Sequence, residues 1–210
     1  MKSFSHWTIE EVENEFGIGP RKTSKRFDEW MNVKTPPSSF EAEWLESIRA
    51  DVELYSYTWN EQELIASCIA PVLRLVNFQQ DVYRAFLERE LSVPYKDETL
   101  SGEVDYMVAQ GRHSPQRPFF FLHEYKRELE QKDPRGQLLI AMIAAQLLNQ
   151  DQSPLYGVYV VGSIWRFILL EEKAYIVHRG LNAASDEIVH IFGVLQNTKT
   201  IIEELIGIRG

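Results

Sequence analysis

Two neighbouring strand-forming runs constrain the fold most, because the helix and strand after them leave few ways to arrange a sheet. The second run, Pro118–Lys126, reads Pro-Phe-Phe-Phe-Leu-His-Glu-Tyr-Lys. Aromatic residues of this kind suit a pleated, half-buried surface. The first run, Glu103–Ala109, alternates, with Val104, Tyr106 and Val108 expected on one face. Gly111-Arg112-His113-Ser114-Pro115-Gln116-Arg117-Pro118 joins them, a stretch rich in turn formers. The two runs are therefore expected to form an antiparallel hairpin. Asp133-Pro134 then opens a helix to about Asn149. That helix is apolar nearly all round, so it must be buried. Leu155–Val161 is an apolar strand reached across this helix, and a strand–helix–strand connection makes it parallel to 119–126.

Elsewhere, Thr8-Ile9-Glu10-Glu11 is a capping box that starts a helix ending at Gly17. A second helix runs from Ser39 to about Asp51 after Thr35-Pro36-Pro37-Ser38. Asn60 caps a third over about 60–77, with Leu64, Ile65, Cys68, Ile69, Val72, Leu75 and Val76 as its buried stripe and Pro71 as a kink risk. A strand is expected near Tyr83–Glu90, with a turn at Lys96-Asp97-Glu98. Trp165–Leu170 and Tyr175–His178 form a second hairpin, and 186–208 is helical with an interruption near Asn197. At 210 residues the chain suits one α/β domain with a helical extension. The expected division is a helical N-terminal extension over 1–58 and the main domain over 59–210.

The hairpin also carries chemistry. Glu124 and Lys126 are two residues apart and share a face. Pairing the strands symmetrically about the loop centre sets Asp105 opposite Glu124, about 5 Å apart at Cβ. Two opposed carboxylates repel unless something positive lies between them. Lys126 supplies one charge, and a divalent cation would supply more. An oxygen-only donor set without clustered His or Cys suits Mg²⁺ or Mn²⁺ rather than Zn²⁺. Such an ion can activate a water and neutralise charge on a phosphate. The face begins apolar and ends charged, which suits a site at the end of a sheet.

Asp105, eighteen intervening residues and then Glu124-Tyr125-Lys126 on the next strand resemble the signature of the PD-(D/E)XK nuclease superfamily. The resemblance covers about residues 59–170. It implies a restriction-endonuclease-like αβββαβ core, a mixed central sheet flanked by helices, and metal-dependent cleavage of phosphodiesters. On this resemblance Asp105, Glu124 and the Tyr125 carbonyl ligate Mg²⁺ or Mn²⁺, and Lys126 acts on the water. Many members also carry a glutamate early in the first core helix, for which Glu61 and Glu63 are candidates. Glu61 is in phase with Leu64, Ile65 and Cys68 and is preferred. Some members place a glutamine in the helix after the lysine strand, where Gln137 stands. Val104 occupies the position of the family's proline. Ala141 stands where the recombination-nuclease subgroup has tyrosine, so that subgroup is not assigned.

Charge shapes the choice of partner. The formal net charge is −9, which excludes a generic polyanion binder. Nucleic acid, DNA in preference to RNA, therefore requires a local patch or a bound metal. Arg112, Arg117, Arg127, Lys132 and Arg135 are expected to flank the site as phosphate contacts. The run Arg21–Arg26 is read as a solvated loop. His123 lies on the face opposite Glu124 and belongs to the core, as does Cys68. A single cysteine and no apolar run of membrane length point to a cytoplasmic protein outside the membrane. A homodimer is a further expectation. The alternative function is a catalytically inactive nuclease-fold module for binding or assembly.

Overall fold

The computed structural model describes residues 2–126, 134–151 and 153–207. Its helices are α1 (Ile9–Phe16), α2 (Lys25–Met31), α3 (Ser39–Tyr55), α4 (Glu61–Leu64), α5 (Ala70–Val76), α6 (Pro134–Asn149) and α7 (Glu187–Leu205). Its strands are β1 (Gly19–Pro20), β2 (Tyr83–Tyr95), β3 (Glu98–Gln110), β4 (Gln116–Lys126), β5 (Leu155–Val161), β6 (Ile164–Glu171), β7 (Ala174–Val177) and β8 (Leu181–Asn182). The fold is α/β. One mixed sheet runs β1-β7-β6-β5-β4-β3-β2, with β8 beside β6. β4 and β5 are parallel, as are β1 and β7, and the remaining pairs are antiparallel.

Each face of the sheet buries a separate core. On one side Trp30, Leu45, Ile69, Val72 and Val194 pack against Tyr106, Val108, Phe121 and Val158. On the other, Phe4, Val12 and the α6 residues Leu138–Ala145 pack against Met107, Leu122, Tyr159 and Tyr175. The first 58 residues thus contribute to both cores, and β1 forms one end of the strand order. The boundary at residue 58 does not separate two packing units.

Several elements depart from the sequence reading for identifiable reasons. Ser24 caps α2 by accepting the Phe27 N–H, so the basic run ends in a helix rather than a loop. β2 continues to Tyr95, and β3 starts at Glu98, because the expected turn sits at the tip of a long hairpin. Pro71 does not break its helix. Proline clashes with the carbonyl one turn back, and the chain widens into a π turn over Ile65–Ile69 just before it. α7 runs unbroken through Asn197, whose Nδ2 donates to the Trp30 and Asn32 carbonyls. Asp133, expected to cap α6, lies outside the described residues.

Alternation also breaks twice. Val108 pairs with Phe121 and Ala109 with Phe119, so Phe120 is an extra residue in β4. Phe120 and Phe121 therefore face the same core, and Phe120 does not share the face of Leu122, Glu124 and Lys126. In β2, Glu88 is left-handed at φ 48°. Tyr83 and Ala85 before it face one core, Leu91 and Val93 after it the other. Val104 consequently faces away from the core that holds Tyr106 and Val108.

Gly136 in α6 tests the docking of the N-terminal segment. A Cβ there would collide with the Trp7 carbonyl oxygen and lie 2.8 Å from Thr8 C. Alanine is the better helix former by about 1 kcal/mol, yet backbone cannot yield like a flexible side chain. Gly136→Ala is expected to destabilise the protein by about 2 kcal/mol, read as a lower urea midpoint.

Candidate metal centre

The site forms where β3 and β4 part. Their ladder ends at Tyr106↔His123. Beyond it β3 follows β2, while β4 follows β5 through Glu124↔Tyr159 and Lys126↔Val161. Separation would strand the Tyr125 N–H, a costly loss in the interior. Asp105 takes that place: its Oδ2 accepts the Tyr125 N–H at 2.7 Å.

Glu124 and Lys126 share the α6 face of β4 with Leu122, and are 2 % and 9 % exposed. Lys126 Nζ donates to the Tyr125 carbonyl at 2.7 Å. It also lies 2.8 Å from Glu124 Oε1, an ion pair whose angles miss hydrogen-bond geometry. Glu61, half-buried at the start of α4, reaches to 3.9 Å from the same ammonium. Glu63 is committed elsewhere, closing a capping box with Asn60. Of the two helix carboxylates, Glu61 is the one at the site.

Electrostatics follow from this burial. Desolvation pushes Glu124 up from 4.5 to about 8, and the neighbouring Asp105 adds to the rise while Lys126 opposes it. Burial likewise lifts Asp105 from 3.8 to about 6 against the Tyr125 N–H and Lys126. For Lys126 burial favours the neutral amine, but Glu124, Asp105 and Glu61 outweigh it, and its pKa is raised. Lys126 is therefore an ammonium at neutral pH, a charge stabiliser rather than a base.

Other expected residues stand apart. Gln137 lies in the first turn of α6, half-buried, and no described hydrogen bond ties it to Asp105, Glu124 or Lys126. Arg112 and Arg117 sit by the β3–β4 turn, about seven residues or ~23 Å along β4 from Glu124. They do not flank the site: Arg112 accepts from Arg84 through its carbonyl, and Arg117 donates to the Leu148 carbonyl. Arg127 and Lys132 lie outside the described residues. Arg21 and Arg26 are paired with Glu171. His123 is fully buried among Tyr106, Phe121, Tyr125 and Trp165, and burial holds it neutral. Cys68 is buried with its thiol pushed up to about 12. Tyr159, beside Glu124 in the sheet, went unnoticed in the sequence because parallel register carries no local signal.

The donor set is all oxygen and already cradles a cation, the Lys126 ammonium. Its carboxylates are two at the centre and one at the margin. Among the described residues, no three His, Cys, Asp or Glu side chains converge closely enough to hold a metal by themselves. The Tyr125 carbonyl is a further oxygen beside the ammonium.

No family model matches the chain, and no curated protein matches it. Among solved structures, the "Crystal structure of SSO0001" is similar at 14% identity over 75% of this chain and 71% of that chain, with a TM-score of 0.26. A likeness that slight carries no argument about function. Among the described residues no helix is long and apolar enough to cross a membrane.

The raised carboxylates fix a pH dependence. The folded protein keeps protons that the unfolded chain has lost, so stability falls as pH rises from about 4 through 6 for Asp105 and 8 for Glu124. Metal-free protein is expected to lose on the order of 4–8 kcal/mol across that window. Glu124→Gln should remove most of the slope above pH 6 in thermal melts at fixed ionic strength.

Proposed function

We propose that the protein is a metal-dependent nuclease of the PD-(D/E)XK superfamily, built on a restriction-endonuclease-like core. The observation that carries this reading is the convergence of Asp105, Glu124, Lys126 and Glu61 where β3 and β4 separate. The order α4–α5, β2, β3, β4, α6, β5 accords with an αβββαβ core. Mg²⁺ or Mn²⁺ would be held by Asp105, Glu124 and the Tyr125 carbonyl, with Glu61 at the margin. It would supply an acidified water and neutralise phosphate charge.

The chain's own residues do the rest. Asp105 fixes the Tyr125 peptide and so the direction of its carbonyl. Leu122 and the α6 face exclude bulk water from Glu124, which strengthens its attraction to a cation. Lys126, an ammonium at neutral pH, would stabilise the negative charge that develops as a phosphodiester is attacked. DNA is the favoured substrate over RNA.

Asp105→Ala, Glu124→Ala and Lys126→Ala are each expected to lower cleavage by at least about 100-fold with near-wild-type circular dichroism. Undiminished cleavage by all three would sink the proposal. Lys126→Met should also bind Mn²⁺ more tightly in calorimetry than wild type, since the resident ammonium no longer competes for Glu124 and the Tyr125 carbonyl.

The second reading is a catalytically inactive module of the same fold. It is favoured by the lack of a three-ligand cluster among the described residues. Absence of any Mn²⁺-dependent thermal stabilisation would favour it over the enzyme.

A further inference from the structure

Several guanidinium groups of this acidic chain are neutralised within it. Arg21 and Arg26 bond Glu171, and Arg49 is clasped between Glu46 and Glu53. Arg74, Arg84, Arg89, Arg112, Arg117 and Arg179 have no described carboxylate partner either, but they are exposed; Arg166, on β6, is half-buried, and among the described residues no carboxylate pairs with it.

Its place in the sheet gives that exception meaning. Glu124 pairs with Tyr159, and Tyr159 pairs with Arg166. Paired residues share a face, so the three form one row across β4, β5 and β6. At about 4.8 Å per strand, the Arg166 backbone lies about 10 Å from that of Glu124. The guanidinium carbon sits 5.9 Å from the centre of the Tyr159 ring. On its other flank is Gly180, where an added Cβ would lie 3.5 Å from both Cγ and Nε of Arg166. Tyr159 is itself 4 % exposed and fixed in the core. An arginine shelved on a rigid ring loses little freedom when it takes an anion, and its planar fork matches a phosphate.

We propose that Arg166 forms a phosphate subsite beside the carboxylates, taking a backbone phosphate of the bound nucleic acid next to the one attacked. This subsite rests on the nuclease reading. It also accounts for how a chain of net charge −9 could hold a polyanion: one anchored guanidinium on the site's own face, rather than a basic surface.

The test uses the full chain with a short fluorescein-labelled DNA duplex and its single strand, in Ca²⁺, read by anisotropy across a salt series. Arg166→Gln is expected to weaken binding by about 10-fold and to reduce the salt slope by about 1. Arg166→Lys should keep the slope while losing part of the affinity, because the charge remains without the stacked fork. Both variants should retain the wild-type rise in melting temperature with Mn²⁺. Wild-type affinity and slope in Arg166→Gln would overturn the subsite. So would failure of wild type to bind either DNA while Mn²⁺ still stabilises it, which leaves the metal centre standing. Loss of DNA binding in Arg166→Gln with no Mn²⁺ stabilisation of wild type would keep the subsite and discard the nuclease reading instead.

Discussion

The hydrogen bond from the Tyr125 N–H to Asp105 Oδ2 is the contact on which the site depends. A sheet cannot split without stranding backbone groups, and a buried stranded amide is expensive. One carboxylate oxygen resolves the problem and lets β3 and β4 diverge. The divergence leaves Glu124 and Lys126 side by side at the end of the β3–β4 ladder. It also turns the Tyr125 carbonyl toward the ammonium. Asp105 is thus both a structural cap and a charged group of the site, and its partial burial follows from the first role.

Charge balance at this point is the second constraint. Three carboxylates approach one ammonium, so at neutral pH the site carries either excess negative charge or extra protons. Burial makes the charged form costly for Glu124. A cation relieves both conditions together. The outer surface shows the opposite habit: Lys2, Lys96 and Arg49 form exposed pairs with Glu11, Glu15, Glu46 and Glu53. Exposed pairs of that kind contribute little.

Much of this arrangement was legible in the sequence, though partly through offsetting errors. Counting symmetrically about the loop aligned Asp105 with Glu124; the ladder keeps that register at Tyr106↔His123 but ends there, so the two carboxylates are not a cross-strand pair and Asp105 instead accepts the Tyr125 N–H. The loop is shorter than counted, since β4 begins at Gln116. Arg117, Pro118 and Phe120 are extra residues in β4 and restore the offset. Helical phase separated Glu61 from Glu63, because phase reports direction and the capping box at Asn60 claims one of them. What could not be read was long-range: the parallel register of β4 and β5, the reversal of facing at Glu88, and the incorporation of residues 1–58 into both cores. None of these leaves a periodic trace in its own segment. The arginines were misplaced for the same reason, since nearness in sequence to a hairpin does not say which end of it holds the carboxylates.

The pairing of β1 with β7 has a consequence for how the molecule is made. Gly19 and Pro20 wait for Ala174 and Tyr175, and Trp30 waits for Thr198 on α7. During synthesis α2 therefore emerges with Phe27 and Trp30 uncovered, and the Trp30 partners Tyr156, Phe167 and Thr198 arrive more than a hundred residues later. Contacts so distant along the chain slow folding and prolong the exposure of apolar surface. A ribosome-bound intermediate of this protein offers a sticky aromatic face until α7 has emerged.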